Sequence, residues 1–465
     1  MRSLVIAIAF AASCGSPSPR PPQVAPAATT STPPPTPSTA TKIALPPGVP
    51  DTLAGNQFAW VIHTLQNGGN ASDQEVRDRF SPEFLAQVPP NQLIGALVML
   101  AKQFEKLESV APVDANRLVA KVMIGGNSVT TSIAVDPTSR KIVGLLFKPQ
   151  AEPIPKPKTI DEAIASLKQL APRSQLLVAS VDRGACKAIH GVNTKEPLAI
   201  GSTFKLYILL ALADDIIAGR AKWEDEVAVR DDWKSLPTGV TQNDPAGTKL
   251  SRLTLAERMI SISDNTATDH LLYTLGRENV EKALKASKHA KPALNIPFLG
   301  TRELFILKLA LPKDEVARYL ELTSAQHKRE FLDRLAGKAA SLDGVEEWKT
   351  ARHIDKLEWF ASSEDLCRTM AALAARGKKP AGKPVLDVLS KNPGVDLSSK
   401  ASWKFVGYKG GSEPGVINMT WLLQRSDDKW FVVTTSLNGE DSIDVLAVSA
   451  VGAGVIDLLA ADAKP

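Results

Sequence analysis

The sequence predicts an α+β protein in which an antiparallel sheet flanked by helices is preceded by a smaller α+β unit. Strand-like runs stand at both ends of the region from residue 160 onward, with helical and charged stretches between them. Residues 51–150 read as helices followed by an antiparallel meander. The repeated prolines of 149–158 separate the two units.

At the N-terminus, Met1-Arg2-Ser3 leads into the apolar run Leu4 to Phe10 and then Ala11-Ala12-Ser13-Cys14. This pattern predicts a secretion signal over 1–14 that ends in a lipobox, with Cys14 as the lipidated first residue of the mature protein. Residues 15–50 are rich in Pro, Ser, Thr and Ala and nearly free of bulky apolar side chains. Such a stretch cannot bury a core, so it is expected to be a tether. The expectation is an exported lipoprotein of the bacterial cell envelope, held to a membrane through the lipid at Cys14. No later segment approaches the ~20 apolar residues of a membrane helix.

Within 51–150, helical periodicity is predicted over 56–65, and Ser72-Asp73-Gln74-Glu75 has the form of a capping box. A third helix is expected over 92–107, because Leu93, Ala96, Leu97, Leu100 and Phe104 fall on one stripe. Strands are predicted over 117–124, 129–135 and 141–147, divided by Gly125-Gly126-Asn127 and Asp136-Pro137-Thr138 turns. After a linker at 151–159, the unit 160–465 opens with a helix over 160–170 and a hairpin, 175–181 with 187–190. It closes with strands over 416–423 and 430–437 and an apolar helix over 448–459.

Three short motifs lie in the larger unit in a fixed order: Ser202-Thr203-Phe204-Lys205, Ser263-Asp264-Asn265 and Lys409-Gly410-Gly411. A serine hydroxyl is a weak nucleophile near neutral pH and needs a base within reach. Positions i and i+3 share a helix face, so Lys205 is expected beside the Ser202 hydroxyl, near the positive end of the helix dipole. For Lys205 to act as a base its pKa must fall, which burial and a neighbouring cation such as Lys409 would achieve. Phe204, Leu206, Ile208 and Leu209 are expected to anchor the helix in the core.

This ordered triple resembles the class A β-lactamases and penicillin-binding proteins. The resemblance covers about residue 160 to the C-terminus and implies a β-lactamase/transpeptidase-like catalytic domain. It implies Ser202 as nucleophile, Lys205 and Lys409 as catalytic cations, and Ser263 as a proton relay to the leaving group. Asn265 would hold a substrate amide, Gly410, Gly411 and Ser412 would line the substrate, and the backbone N–H groups of Ser202 and Ser412 would form the oxyanion hole. Asp264 is read as a carboxylate that orients its turn. The element order of 51–150 is similar to the ketosteroid-isomerase-like cone that precedes serine hydrolase domains in some actinobacterial proteins, including relatives encoded near clavulanic acid genes; a binding or spacer role is expected of it. The function implied is acyl-enzyme chemistry on β-lactams or a related amide. An esterase using the same serine, or a binder or sensor of β-lactam or peptidoglycan that stays acylated, are the alternatives.

The chain departs from that family's pattern in three places. No Glu-x-x-Leu-Asn loop lies between the second and third motifs; the nearest candidate, Glu303, reads instead as a helix-start carboxylate. The interval from Ser263 to Lys409 exceeds the class A interval by a few tens of residues, helical and charged, and is expected to reshape or cover the mouth of the site. Gly410 stands where many relatives have a hydroxyl residue, so one ligand for a substrate carboxylate is lost. Composition adds exclusions. A net charge of +5, from 55 basic and 50 acidic residues, implies no nucleic-acid partner. With no CxxC or HExxH and scattered histidines, no metal or other cofactor is expected. His270 and His353 are read as structural residues on helices. Cys186 and Cys367 are compatible with a disulfide in an exported protein, and at least as compatible with two buried free thiols.

Overall fold

The computed structural model describes residues 43–149, 154–235, 238–335 and 348–461. Cys14, the 1–14 signal, most of the 15–50 tether and part of the 151–159 linker lie outside them. The chain divides into two compact units, with the division between Pro153 and Ile154.

The smaller unit starts with four helices, α1 (Leu53–Gln66), α2 (Asp73–Arg79), α3 (Pro82–Gln87) and α4 (Pro90–Ala101). Thr52 caps α1, and at α2 the Ser72 hydroxyl accepts from Glu75 N while Glu75 Oε2 accepts from Ser72 N at 2.8 Å. Strands β1 (Phe104–Pro112), β2 (Arg117–Ile124), β3 (Asn127–Val135) and β4 (Ile142–Pro149) then form a four-stranded antiparallel meander. Its inner face, with Leu118, Ala120, Val122 and Ile133, packs against Phe58, Ile62, Leu65 and Leu97.

The helix expected over 92–107 is α4, which ends at Ala101, and the residues beyond it form β1. Phe104, Leu107 and Val110 recur every three residues, which imitates a helix. In the sheet, register shifts at Phe104/Lys106 and Leu107/Ser109 interrupt the two-residue alternation, so a spacing of three suits a doubly bulged strand.

The larger unit is organised on a five-stranded antiparallel sheet made of β11 (Trp403–Glu413), β12 (Val416–Arg425), β13 (Trp430–Asn438), β5 (Arg173–Asp182) and β6 (Ala185–Val192), in that order. Both faces are covered, so β12 and β13 are buried almost continuously. On one face Leu176, Val178, Met419, Trp421 and Val433 pack on α5 (Ile160–Leu170) and α15 (Val445–Ala461). On the other, Leu177, Ala179, Leu422 and Val432 meet α6 (Lys205–Ile217) and α13 (Ser363–Gly377). Helix α6 is apolar almost all round, and Phe204, Leu206, Ile208 and Leu209 are fully buried. Ser362 and Asp365 form a capping box at the start of α13.

Helices α7 (Arg252–Ser261), α8 (Asn265–Leu275) and α9 (Arg277–Ala286) follow α6 in this helical layer, after the short strands β7 (Leu198–Ala199), β8 (Glu226–Ala228) and β9 (Lys249–Ser251). Helices α10 (Thr301–Phe305), α11 (Lys313–Glu321) and α12 (Ala325–Asp333) lie between the second and third motifs. Strand β10 (Phe360–Ala361) pairs with β7, and α14 (Pro384–Ser390) precedes β11. His270 lies on α8 as expected, where its Nε2 accepts from Arg230 N; His353 lies in a turn with φ +52° rather than on a helix.

Cys186 on β6 and Cys367 on α13 form a disulfide, 181 residues apart in sequence. The cross-link joins the sheet edge to a core helix. A Cys186→Ala/Cys367→Ala protein is expected to lose about 2–4 kcal/mol of unfolding free energy, checked by denaturant titration against the oxidised parent. Equal stability of the two would show that the bond contributes nothing.

Candidate active site

Strand β11 is an edge strand, and its outer side meets the 3-10 turn Gly201–Phe204 that leads into α6. The approach is close enough to exclude side chains. A Cβ on Gly411 would lie 2.2 Å from Ile200 O and 2.4 Å from Ser202 N. Gly201 has φ +48°, and a Cβ there would lie 3.0 Å from Ser412 N. The two glycines therefore bring the backbone amides of Ser202 and Ser412 together. The turn is fixed from below as well: Ile200 N donates to Trp359 O at 3.0 Å, and the Trp359 ring stacks on Phe204 with centroids 3.6 Å apart.

The second motif reaches this place from the end of α7. Ser263 has φ +56°, a left-handed conformation that costs a non-glycine residue about 1 kcal/mol. Its surroundings hold it there. Asp264, fully buried, caps α8 through Ala267 N at 2.8 Å, and its other oxygen accepts from Val240 N, Thr241 N and Thr241 Oγ1, each at 2.8 Å. This carboxylate does orient its turn. Ser263 O accepts from Thr238 Oγ1 at 2.8 Å and from Lys205 Nζ at 2.7 Å.

Lys205 is fully buried, and its Nζ donates to Ser263 O, to Ser263 Oγ at 3.0 Å and to Asn265 Oδ1 at 2.8 Å. Its three donors thus go to the second motif. Lys205 is the first residue of α6, and its long stem runs past the turn toward α8. Asn265 is buried with its side-chain oxygen serving Lys205, and it is not among the residues that line the cleft. Lys409 Nζ donates to Ser263 Oγ at 3.1 Å and to Gly410 O. Two ammonium groups thus converge on one hydroxyl. Burial lowers Lys205 well below the ordinary lysine range, and the charge of Lys409 adds to the effect. Burial brings Lys409 down to about 7.

A cleft of about 440 Å³ opens over these groups. Ser202, Ser263, Lys409, Gly410, Gly411 and Ser412 all line it, together with Thr238, Tyr408 and an apolar set that includes Ile262, Ile417, Met419 and Val445. None of the described lining residues is a carboxylate or belongs to α10, α11 or α12, so these helices do not cover the cleft. Arg329 of α12 pairs instead with Glu278 and Glu281 of α9. Glu346 and Glu347, in the same interval, lie outside the described residues. Glu303 is nearly buried; it pairs with Arg277 and accepts from Gly300 N at 2.7 Å, a helix-start role.

One cluster was not anticipated. Lys308, fully enclosed in the π-helical turn Ile306–Ala310, pairs with Glu358 at 2.8 Å and Glu413 at 2.5 Å. Burial raises Glu413 well above the usual carboxylate range, with the nearby Glu358 adding to it. Its sequence signal is a lone lysine within Phe305-Ile306-Leu307-Lys308-Leu309, and nothing in the sequence names its partners.

Fold and site together define a serine hydrolase of the class A β-lactamase-like kind. The model of the Beta-lactamase enzyme family matches residues 158–402, more than half of the chain, and the protein belongs to that family. Residues 49–140 match a second model, the ORF 12 gene product N-terminal domain, so that domain is present too. No curated protein matches the chain. Solved structures similar to it include PBP-A, at 17% identity over 66% of this chain and 98% of that one with a TM-score of 0.42. A beta-lactamase from Sphaerobacter thermophilus DSM 20745 is similar at 19% identity, over 65% of this chain and 96% of that one, with a TM-score of 0.44. For a beta-lactamase from Francisella tularensis the values are 13%, 65%, 99% and 0.46.

The contact at Gly411 gives a direct check on the geometry. Gly411→Ala forces a methyl into the Ser202 backbone, and an overpacked site of this kind loses about 1–3 kcal/mol. Thermal or denaturant unfolding of the variant is expected to show that loss. Unchanged stability would mean that β11 and the turn are not in this close contact.

Proposed function

We propose that the protein works through an acyl-enzyme on Ser202, acting on β-lactams or a related amide. The observation that carries this reading is the convergence of Lys205 and Lys409 on Ser263 Oγ, in the cleft that Ser202 and the paired amides of Ser202 and Ser412 also line.

The chemistry follows from the positions. A substrate carbonyl oxygen seated on the Ser202 and Ser412 amides develops its negative charge against two N–H donors. Two enclosed ammonium groups sharing one hydroxyl cannot both keep their charge at low cost, so the pair gives up a proton as pH rises. The neutral amine accepts the Ser202 proton, through Ser263 or after a small rotation of the Lys205 side chain. Ser202 Oγ bonds to the carbonyl carbon, and as the tetrahedral intermediate collapses Ser263 passes a proton to the leaving nitrogen. Water then releases the acyl group.

No carboxylate lines the cleft among the described residues, and the lysine pair is the base placed to activate that water. A β-lactam leaves its amine tethered to the acyl group and crowds the water. An ester releases its alcohol and vacates the cleft. This favours a second reading in which esters turn over and β-lactams form long-lived adducts.

Intact mass spectrometry of the protein with a penicillin and a cephalosporin tests the proposal. The expected result is an adduct of the whole lactam mass, absent in Ser202→Ala and formed about 10²–10⁴ times more slowly in Lys205→Ala. The adduct rate is expected to rise with pH through about 7, where Lys409 loses its proton. A flat profile from acid to alkaline pH, or an adduct that survives Ser202→Ala, would sink the assignment.

We also propose export and lipidation at Cys14. The apolar run before Cys14 supports this, as does the Cys186–Cys367 disulfide, a bond more at home in an oxidising compartment. Metabolic labelling with a fatty acid in a bacterial host is expected to mark the parent and not Cys14→Ser. Equal labelling of the two would refute it.

A further inference from the structure

The hydroxyl missing at position 410 is supplied in space by a neighbour. Tyr408 and Gly410 lie on the same face of β11, and a Cβ on Gly410 would lie 2.0 Å from Tyr408 Oη. The phenol group therefore occupies the volume that a side chain at 410 would fill. A second glycine makes room for the ring: Gly394 has φ +76°, and a Cβ there would lie 2.5 Å from Tyr408 Cδ1 and Cε1. Trp421 packs near the ring, with centroids 5.1 Å apart. The 392–394 loop is itself held, by Trp421 Nε1 donating to Pro393 O at 3.0 Å and by Asn392 Nδ2 donating to Ser261 O at 2.8 Å. Tyr408 is thus a fixed part of the wall.

What surrounds it differs from a carboxylate site. Ile417, Met419, Ile262 and Val445 share the cleft with Tyr408, and Ile262 and Val445 remain 48% and 45% exposed, an apolar rim. Lys409 is the one cation among the described lining residues, and its ammonium already donates to Ser263 Oγ and Gly410 O. A carboxylate placed here would lose its water with little in return. Burial raises the phenol to about 12, so it stays a neutral donor at physiological pH.

We propose that Tyr408 determines specificity in this cleft: its hydroxyl donates to a neutral acceptor on the leaving group of the substrate, and the apolar wall around it rejects a carboxylate there. The leaving-group side is assigned because Ser263, the proton donor to the leaving atom in the proposed mechanism, lines the same cleft as Tyr408 and accepts from Lys409, the residue between Tyr408 and Gly410. The inference rests on Ser202 being the nucleophile.

Three butyrate esters of 3-substituted phenols separate the possibilities, one bearing a methoxycarbonyl group, one a carboxylate and one an ethyl group. Rates are referred to hydroxide-catalysed hydrolysis of each ester. The parent is expected to favour the methoxycarbonyl ester over the carboxylate ester by at least about tenfold in kcat/KM. In Tyr408→Phe the ratio of methoxycarbonyl to ethyl ester is expected to fall about tenfold, the loss of one hydrogen bond. Met419→Arg, which adds a cation to the wall, is expected to raise the relative rate of the carboxylate ester. A preference of the parent for the carboxylate ester, or a methoxycarbonyl-to-ethyl ratio unmoved by Tyr408→Phe while turnover still requires Ser202, overturns the role of Tyr408. Turnover that persists in Ser202→Ala overturns the reading beneath it.

Discussion

Two buried ammonium groups aimed at one serine oxygen set the terms for the rest of the larger unit. Lys205 and Lys409 come from different elements, α6 and β11, and meet at Ser263 Oγ at 3.0 and 3.1 Å. Each charge withdrawn from water costs several kcal/mol unless it is compensated, so the arrangement persists only if the scaffold forbids its escape. Fully buried Phe204, Leu206 and Ile208 lock the start of α6, while pairing with β12 along its whole length locks β11. In the proposed mechanism, the stored cost is the source of reactivity, because relieving it means that one lysine gives up its proton and becomes a base.

The support for Ser263 follows the same logic. Its left-handed backbone is tolerated because Lys205, Thr238 and the Asp264 cap hold the groups on either side of it. Asp269 lies one helical turn further along α8, and its carboxylate accepts from Thr301 N, Thr301 Oγ1 and Arg302 N. Burial raises it to about 7. It fastens the 301–305 segment to α8. The second motif is thereby anchored to the interval that separates it from the third.

Much of this was legible in the sequence, because the informative residues act locally. Helices with their own caps, such as Ser72 with Glu75, and strands with clean alternation, such as 117–124, need little tertiary context. Ser202, Lys205, Ser263 and Lys409 were marked by motif order. What escaped depends on through-space partners. The stripe Phe104, Leu107, Val110 has helical spacing but belongs to a bulged strand, and only pairing with β2 reveals it. The spacing that puts Lys205 on one face with Ser202 does not say that its ammonium donates to the second motif. Gly410 reads as a lost hydroxyl, whereas the fold returns one from Tyr408 through the space left by Gly394 and Gly410.

The extra length between the second and third motifs has a mechanical sense once its buried charges are followed. Lys308 is enclosed with Glu358 and Glu413, and Glu413 is the residue immediately after Ser412. Burial opposes the charge of Lys308, but the two carboxylates hold its pKa above the ordinary value, and burial raises that of Glu413. A cluster of this kind adds little net stability, yet removing Lys308 would leave two buried carboxylates without their cation. It therefore acts as a fastener: it ties the end of β11, where the Ser412 amide lies, to the π-helical turn and to Glu358, the neighbour of the Trp359 that stacks on Phe204. Among the described residues, none of α10, α11 and α12 lines the cleft. The buried cluster braces from behind the two backbone segments whose amides must stay side by side.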